Sequence, residues 1–334
     1  MTNRNATPSA FGWEFQVNAG IVIMLDCIRE AKAIKIEGKT EDIEVILQNG
    51  KHVFAQAKGT MDPEDSKNAI RDLKKALTTL NDADSLGKTK QLIFVTNRAD
   101  PFNEEKCRRY FGNPYSMVSY DSLPQTCKKR IQDICTQEKL SLRTKQFSVL
   151  SLQFSGDGAS RYETIKEHVS EFLVGINSHF QGFGKRLMPK WQLQFGQNAS
   201  QNDRSRTIRK KDMIWPLIVL FCEDVDDPML DDFDTADQEI IEERFADIIS
   251  DHSERFELVT KIMSEYAKFK ASHSDKVGAV VEKSFIEEKE ALFRDEFALD
   301  GEEVSIAQAV RKITIRKILR QRRRIDEVKE AVSL

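Results

Sequence analysis

The chain is poor in cysteine. Its five cysteines, Cys27, Cys107, Cys127, Cys135 and Cys222, are odd in number and form no C-x-x-C pair, which argues against a disulfide framework and a zinc site. The expectation is buried, reduced thiols. Long apolar runs are also missing: the stretches 19–25 and 215–221 are each broken by polar or charged flanks, far short of the roughly 18 residues of a membrane span. Residues 1–10 lack the charged-then-apolar order of a secretory signal, so a cytoplasmic protein without a membrane partner is expected. Charge of one sign is lacking too, since 51 Lys plus Arg face 54 Asp plus Glu for a net charge of -3. Any polyanion binding must therefore come from local patches. The histidines form no HExxH or HxH, and G-x-S-x-G is absent. Gly87-Lys88-Thr89 resembles the end of a phosphate-binding loop, but Asp82 stands where that loop needs glycine and the tripeptide precedes a strand. No fixed-period repeat is visible.

What is present is an ordinary globular composition, 40% hydrophobic and 31% charged over 334 residues, enough for two domains at roughly 150 residues each. Val17, Ile21, Met24, Leu25 and Ile28 recur at helical spacing and predict a helix over 11–33. Ala19 and Gly20, one turn beyond Gln16, make that face thin enough to lie close against a sheet. Residues 41–47 and 51–58 are β-rich runs separated by Gln48-Asn49-Gly50, a strong hairpin signal. A helix over 66–80, a buried strand over 90–96, a short strand over 116–119, a helix over 125–137 and a strand over 146–154 follow. Ser155-Gly156-Asp157-Gly158 reads as a linker, which places a domain boundary near residue 160. Beyond it helices are predicted over 162–178, 208–222, 235–271, 277–298 and 305–332.

Two charge blocks mark the second half. Residues 223–247 hold twelve acidic residues against Arg244 alone, and the terminal helix sets nine basic residues, among them Arg320, Arg322, Arg323 and Arg324, against Asp326, Glu327 and Glu330. Such runs are usually solvated helix faces, but opposite blocks also pair within or between chains, and a basic helix can track phosphates.

The hairpin carries the chemistry. Period 2 sets Phe54, Gln56 and Lys58 on one face of its second strand, and Asp42 shares a face with Glu44 and Ile46 on the first, with Glu37 five residues earlier. A carboxylate facing an amide and an amine suits metal-assisted phosphodiester hydrolysis. A hard divalent cation takes oxygen ligands, and a nearby lysine orients the attacking water and offsets developing charge. The bland alternative is a half-polar hairpin with a surface ion pair worth little.

Gly12-Trp13-Glu14-Phe15-Gln16 opening a helix, then Glu37, Asp42-Ile43-Glu44 and Gln56-Ala57-Lys58, resembles the PD-(D/E)XK nuclease superfamily in its Q-x-K form. The resemblance is to endonuclease domains of bacterial anti-phage effectors, both the cyclic-nucleotide-signalling kind and the nuclease subunit of Lamassu-type, SMC-associated systems. The LIFVTN strand, Asp121-Ser122-Leu123 and the stretch from Phe154 to Leu173 are similar to that group as well, so the likeness covers about residues 10 to 180. It implies that Asp42 ligates Mg2+ or Mn2+, that Gln56 replaces the usual second acid, that Lys58 is the catalytic lysine and that the Ala57 carbonyl adds a ligand. Glu14, Gln16 or Glu37 would complete the site, Glu37 as ligand or as a neighbour behind the ligands. Gln56 departs from the acidic form of the motif, since an amide oxygen ligates but adds no charge.

The expected architecture is α+β: a restriction-endonuclease-like mixed sheet flanked by helices over 1–160, then a mostly helical partner-binding and oligomerisation domain over 161–334. No Gly-rich nucleotide-binding loop is evident in the second half, which favours the Lamassu-type branch. The resemblance implies partners to match: DNA, an SMC-like ATPase subunit, a further small subunit, and further copies of the chain in a homo-oligomer when active. The expected activity is divalent-metal-dependent cleavage of DNA, with a metal-bound water attacking phosphorus and Lys58 positioning it. RNA cleavage at the same site and a non-catalytic adaptor are the rival readings, and Arg320, Arg322, Arg323 and Arg324 are the candidate DNA or partner contacts.

Overall fold

The computed structural model describes residues 7–38, 41–155, 158–203, 205–223, 235–250, 255–274, 278–297, 299 and 302–334. They form two compact units, one reaching Lys210 and including Ser333, the other Lys211–Val332 with Leu334. The first is a seven-stranded mixed sheet with helices on both faces.

Helix α1 (Thr7–Asp26) leads into β1 (Ala31–Ile36), β2 (Ile43–Leu47) and β3 (His52–Lys58). Then come α2 (Ala69–Asp84), β4 (Thr89–Thr96), β5 (Tyr115–Ser119), α3 (Gln125–Gln137), β6 (Phe147–Leu152), α4 (Glu163–Ile176), α5 (Gly184–Ala199) and β7 (Ile208–Arg209). Spatial order is β5-β6-β4-β3-β2-β1-β7. β3 and β4 run parallel, as do β4 and β6, and the other neighbours are antiparallel.

The hairpin forms as expected, with Ile43 opposite Ala55 and Val45 opposite Val53. The first helix does not run to residue 33. It stops at Asp26, and residues 31–36 are a strand between β2 and β7. Ala31, Lys32, Ala33 and Lys35 have fair helix propensity and extend the periodicity of α1, but pairing and burial of Ile34 and Ile36 override so weak a preference. From Phe15 to Leu25 every residue of α1 is buried, as befits a helix apolar on all sides: it packs on β1 and β3 and against α4 and α5. Gly20 makes the close approach foreseen, since a Cβ there would stand 2.5 Å from Ile36 Cδ1.

On the other face α2 and α3 cover a core built around Phe54, Leu73, Leu77, Phe94, Ile131 and Phe147. Within it the structure pairs Cys107 with Cys127, so the expectation of five reduced thiols holds only for Cys27, Cys135 and Cys222. The Cα atoms of Cys107 and Cys127 are 7.3 Å apart, wider than the roughly 4.4–6.8 Å usual for a bridge.

The boundary expected near residue 160 falls inside the first unit, which also takes in α4 and α5. Helix α5, absent from the sequence reading, was hidden by Pro189 within it. Residues 156–157 of the supposed linker lie outside the described residues.

The second unit is helical: α6 (Lys210–Glu223), α7 (Thr235–Ser250), α8 (Arg255–Ser272), α9 (Ala279–Lys289), the short α10 (Arg294–Phe297) and α11 (Val304–Val332). The single helix expected over 235–271 is two, α7 and α8, and residues 251–254 lie outside the described ones. Helix α11 is the hub of this unit, contacting α7, α8 and α9. Of the acidic block, residues 224–234 and the side chain of Asp247 lie outside the described residues. No helix among the described residues is long and apolar enough to cross a membrane.

Candidate active site

Asp42 sits one residue before β2. Continuing the register that pairs Ile43 with Ala55 sets it opposite Gln56, so both side chains share a face. Its Oδ2 accepts from Gln56 Nε2 and from the Ala57 backbone N–H at 2.9 Å, and forms an ion pair with the Lys58 ammonium at 3.5 Å. Its carbonyl is held as firmly, taking Gln16 Nε2 at 3.0 Å and the Glu37 N–H at 2.8 Å. Glu37 adopts φ 57° at the turn after β1, in the left-handed region that non-glycine residues seldom occupy. Helix α1, the end of β1 and strand β3 thus converge on Asp42, and Gln16, Gln56, Ala57, Lys58 and Glu37 are gathered around one acid.

The cluster is partly open to solvent. Gln16 and Gln56 are buried, whereas the side chains of Asp42 and Lys58 are 20% and 28% exposed. Lys58 lies at the end of β3, where the chain is locked on leaving the sheet. Thr60 donates its N–H to Asn97 Oδ1 at 2.8 Å, and Asn97 Nδ2 donates to the carbonyls of Thr60 and Phe154. A Cβ on Gly59 would meet the buried Phe15 ring at 2.8 Å, so the residue beside Lys58 presses directly on α1.

Glu14 is placed differently. Its carboxylate accepts from Arg161 Nη1 at 2.7 Å and from the Tyr162 hydroxyl, and the Arg161 guanidinium lies 5.1 Å from the centre of the Phe11 ring. It clamps α1 to the turn preceding α4.

Sequence reasoning placed the neighbouring Glu44 on this face but missed its partner Lys35. Glu44, on the same face as Asp42, is 8% exposed and takes Lys35 Nζ at 2.9 Å and His52 Nδ1 at 2.5 Å. The alternation of β2 had set Glu44 on that face, but Lys35 was obscured because β1 read as helix.

Arg320, Arg322, Arg323 and Arg324 lie on α11 in the second unit. Arg322 pairs with Glu282 at 3.5 Å and lies over the Tyr266 ring, Arg323 pairs with Glu327 at 3.1 Å, and Arg324 lies 5.9 Å from the centre of the Phe221 ring. Deeper in the helix Arg311 binds Glu290 with both side chains buried, and Lys317 sits 4.3 Å from the centre of the Phe245 ring. The apolar side of α11 is the core of its unit, while Arg320 and Arg323 stand exposed on its other side.

Among the described residues no group of three or more His, Cys, Asp or Glu side chains is placed to hold a metal ion. A hard cation at Asp42 would have one carboxylate, the Gln56 amide oxygen after rotation of its terminal group, and the Ala57 carbonyl. That sparse oxygen set fits magnesium, which keeps several waters and takes one or two carboxylates together with substrate phosphate. Thiol chemistry is remote: burial chiefly pushes the Cys27 and Cys222 thiols up to about 12, far from thiolate formation at neutral pH.

No known family matches the chain, and no curated protein does. Among solved structures the chain is similar to the Cap4 SAVED/CARF-domain receptor of Moraxella osloensis, at 14% identity and TM-score 0.40, covering 65% of this chain and 50% of that one. It is also similar to the Acinetobacter baumannii Cap4 receptor solved with the cyclic trinucleotide 3'3'3'-cAAA, at 14% identity and TM-score 0.38, covering 64% and 45%. The chain spans about half the length of the solved structures it matches, and likenesses of this strength carry no conclusion about activity.

Proposed function

We propose that the Asp42, Gln56 and Lys58 cluster hydrolyses phosphodiester bonds of DNA with a divalent cation, and that the chain is the nuclease effector of an anti-phage defence complex. The observation that supports this reading is the convergence of an amide, a backbone N–H and an ammonium on one partly exposed carboxylate. A bound Mg2+ or Mn2+ would supply charge neutralisation at the phosphate. Asp42 holds the cation side of the site and Gln56 orients Asp42. Lys58 places a positive charge beside the scissile group and holds the attacking water. The defence role, with an SMC-like ATPase and a small subunit keeping the chain latent, rests on the sequence motifs. The second reading, a non-catalytic adaptor, is favoured by the Gln56 amide, hydrogen-bonded to Asp42 where the motif otherwise has a second acid.

Plasmid cleavage by wild type and Lys58→Ala, in magnesium, in manganese and in EDTA, separates the two. We expect cutting that needs the cation and falls at least about a hundredfold in Lys58→Ala, with a labelled RNA left intact. Equal cutting by both proteins, or none by wild type together with its partners, removes the catalytic reading.

A further inference from the structure

Building on the nuclease reading, we infer that the DNA backbone is gripped by the outer face of α2 and the turn before it, through Lys67, Arg71 and Lys75. These three residues are exposed and recur every fourth position, Lys67 in the turn before α2 and Arg71 and Lys75 in the helix, where four residues rise about 6 Å. Neither Lys67 nor Lys75 has a side-chain hydrogen bond or ion pair among the described residues. Arg71 pairs with one carboxylate, Asp72 at 3.5 Å, which it shares with the buried Arg98 at 2.8 Å. Of the other acids nearby, Glu138 is taken by Lys74 at 2.6 Å and Glu64 by Arg108. Asp62 and Asp65, in the loop before α2, accept backbone N–H groups of their own loop. Lys67 and Lys75 therefore stand without an ion pair among the described residues, and Arg71 shares its one acid with Arg98.

Its position follows from the same contacts. Lys58 pairs in register with Thr96, and Arg98, two residues further, clasps both the Asp65 carbonyl and Asp72 in the first turn of α2. The Ala99 N–H donates to the Pro63 carbonyl at 3.1 Å. The start of α2 is thereby tied to the end of the sheet that carries Lys58, and the stripe runs away from it along the helix. A linear polyanion whose phosphate lies at Lys58 would meet Lys67, Arg71 and Lys75 in turn. The arginines of α11 are poorer candidates, because Arg322 pairs with Glu282 and lies over the Tyr266 ring, and Arg324 lies by the Phe221 ring of the same unit.

The test is binding of a short labelled DNA duplex in EDTA, where cation-dependent cutting cannot intrude, by anisotropy between about 50 and 200 mM salt. Wild type is compared with the triple variant Lys67→Gln, Arg71→Gln, Lys75→Gln and with Arg320→Gln, Arg323→Gln. Glutamine keeps the helix propensity of these exposed positions, and circular dichroism checks the fold. We expect Kd to rise at least about tenfold in the triple variant, and the slope of log K against log salt to shrink by about 2.7, at 0.9 per lost phosphate contact. The α11 variant should leave both unchanged. An unchanged slope in the triple variant, loss confined to the α11 variant, absence of duplex binding by wild type, or preference for an RNA through the same residues each overturns the proposal. A stripe-dependent slope in a protein that never cuts DNA would leave the stripe standing and remove only the catalytic reading.

Discussion

At the scale of single residues, the candidate site depends on how one neutral amide serves where a second acid is usual. Gln56 Nε2 donates to Asp42 Oδ2, so the pair is content without a cation. Gln56→Glu would set two carboxylates face to face at a site only partly open to water, a repulsion that costs stability until a cation or proton relieves it. We expect a lowered melting temperature in EDTA and a larger rise on adding magnesium than in wild type, read by thermal shift. No difference in the magnesium response between the two proteins would remove Asp42 and Gln56 from metal binding. Asp42, Gln56 and Lys58 were legible beforehand, because hairpin alternation alone puts them on one face. The clamp on Glu14 was not legible, because Arg161 and Tyr162 are distant in sequence and reach it only through the packing of α4 on α1.

At the scale of elements, helix ends and buried pairs carry the predictions. Asp84 at the end of α2 takes the Arg143 backbone N–H at 3.0 Å and its guanidinium Nε at 2.9 Å, tying that helix to the start of β6. Burial alone would raise the Asp84 carboxyl, but the hydrogen bonds from Arg143 outweigh it and hold the group below its ordinary 3.8. A lowered folded value contributes stability that is complete above 3.8 and lost as pH falls through the folded value. Asp84→Asn should therefore cost about 1 kcal/mol at pH 7, reduced by the half-exposed arginine. That gap to wild type should close below pH 3.8 in urea melts. In the second unit Glu290 and Arg311 are 5% and 6% exposed, and Glu290→Ala strands a buried guanidinium. We expect a loss of about 3–5 kcal/mol, measured by denaturant titration, against less than about 1 kcal/mol for the exposed Arg323→Ala.

At the scale of the whole molecule, the chain divides at residue 210 where composition suggested 160. Cutting at 160 would bare the side of α1 covered by α4 and α5, including the neighbours of Phe195 and Trp191, both fully buried. A fragment of residues 1–210 should be soluble and melt in one cooperative transition, whereas residues 1–160 should aggregate, as gel filtration and calorimetry would show. The sequence by itself determined the hairpin, most of the helices and strands, the α+β order and the facing of Asp42 with Gln56, since local periodicity and an Asn-Gly turn need no distant partner. Only the tertiary structure decided that residues 31–36 are a strand, that α5 forms around Pro189 and that the apolar side of α11 is the hub of its unit. Each of those outcomes rests on burial and pairing between segments far apart in the chain, energies of several kcal/mol that outweigh the few tenths by which local propensity speaks.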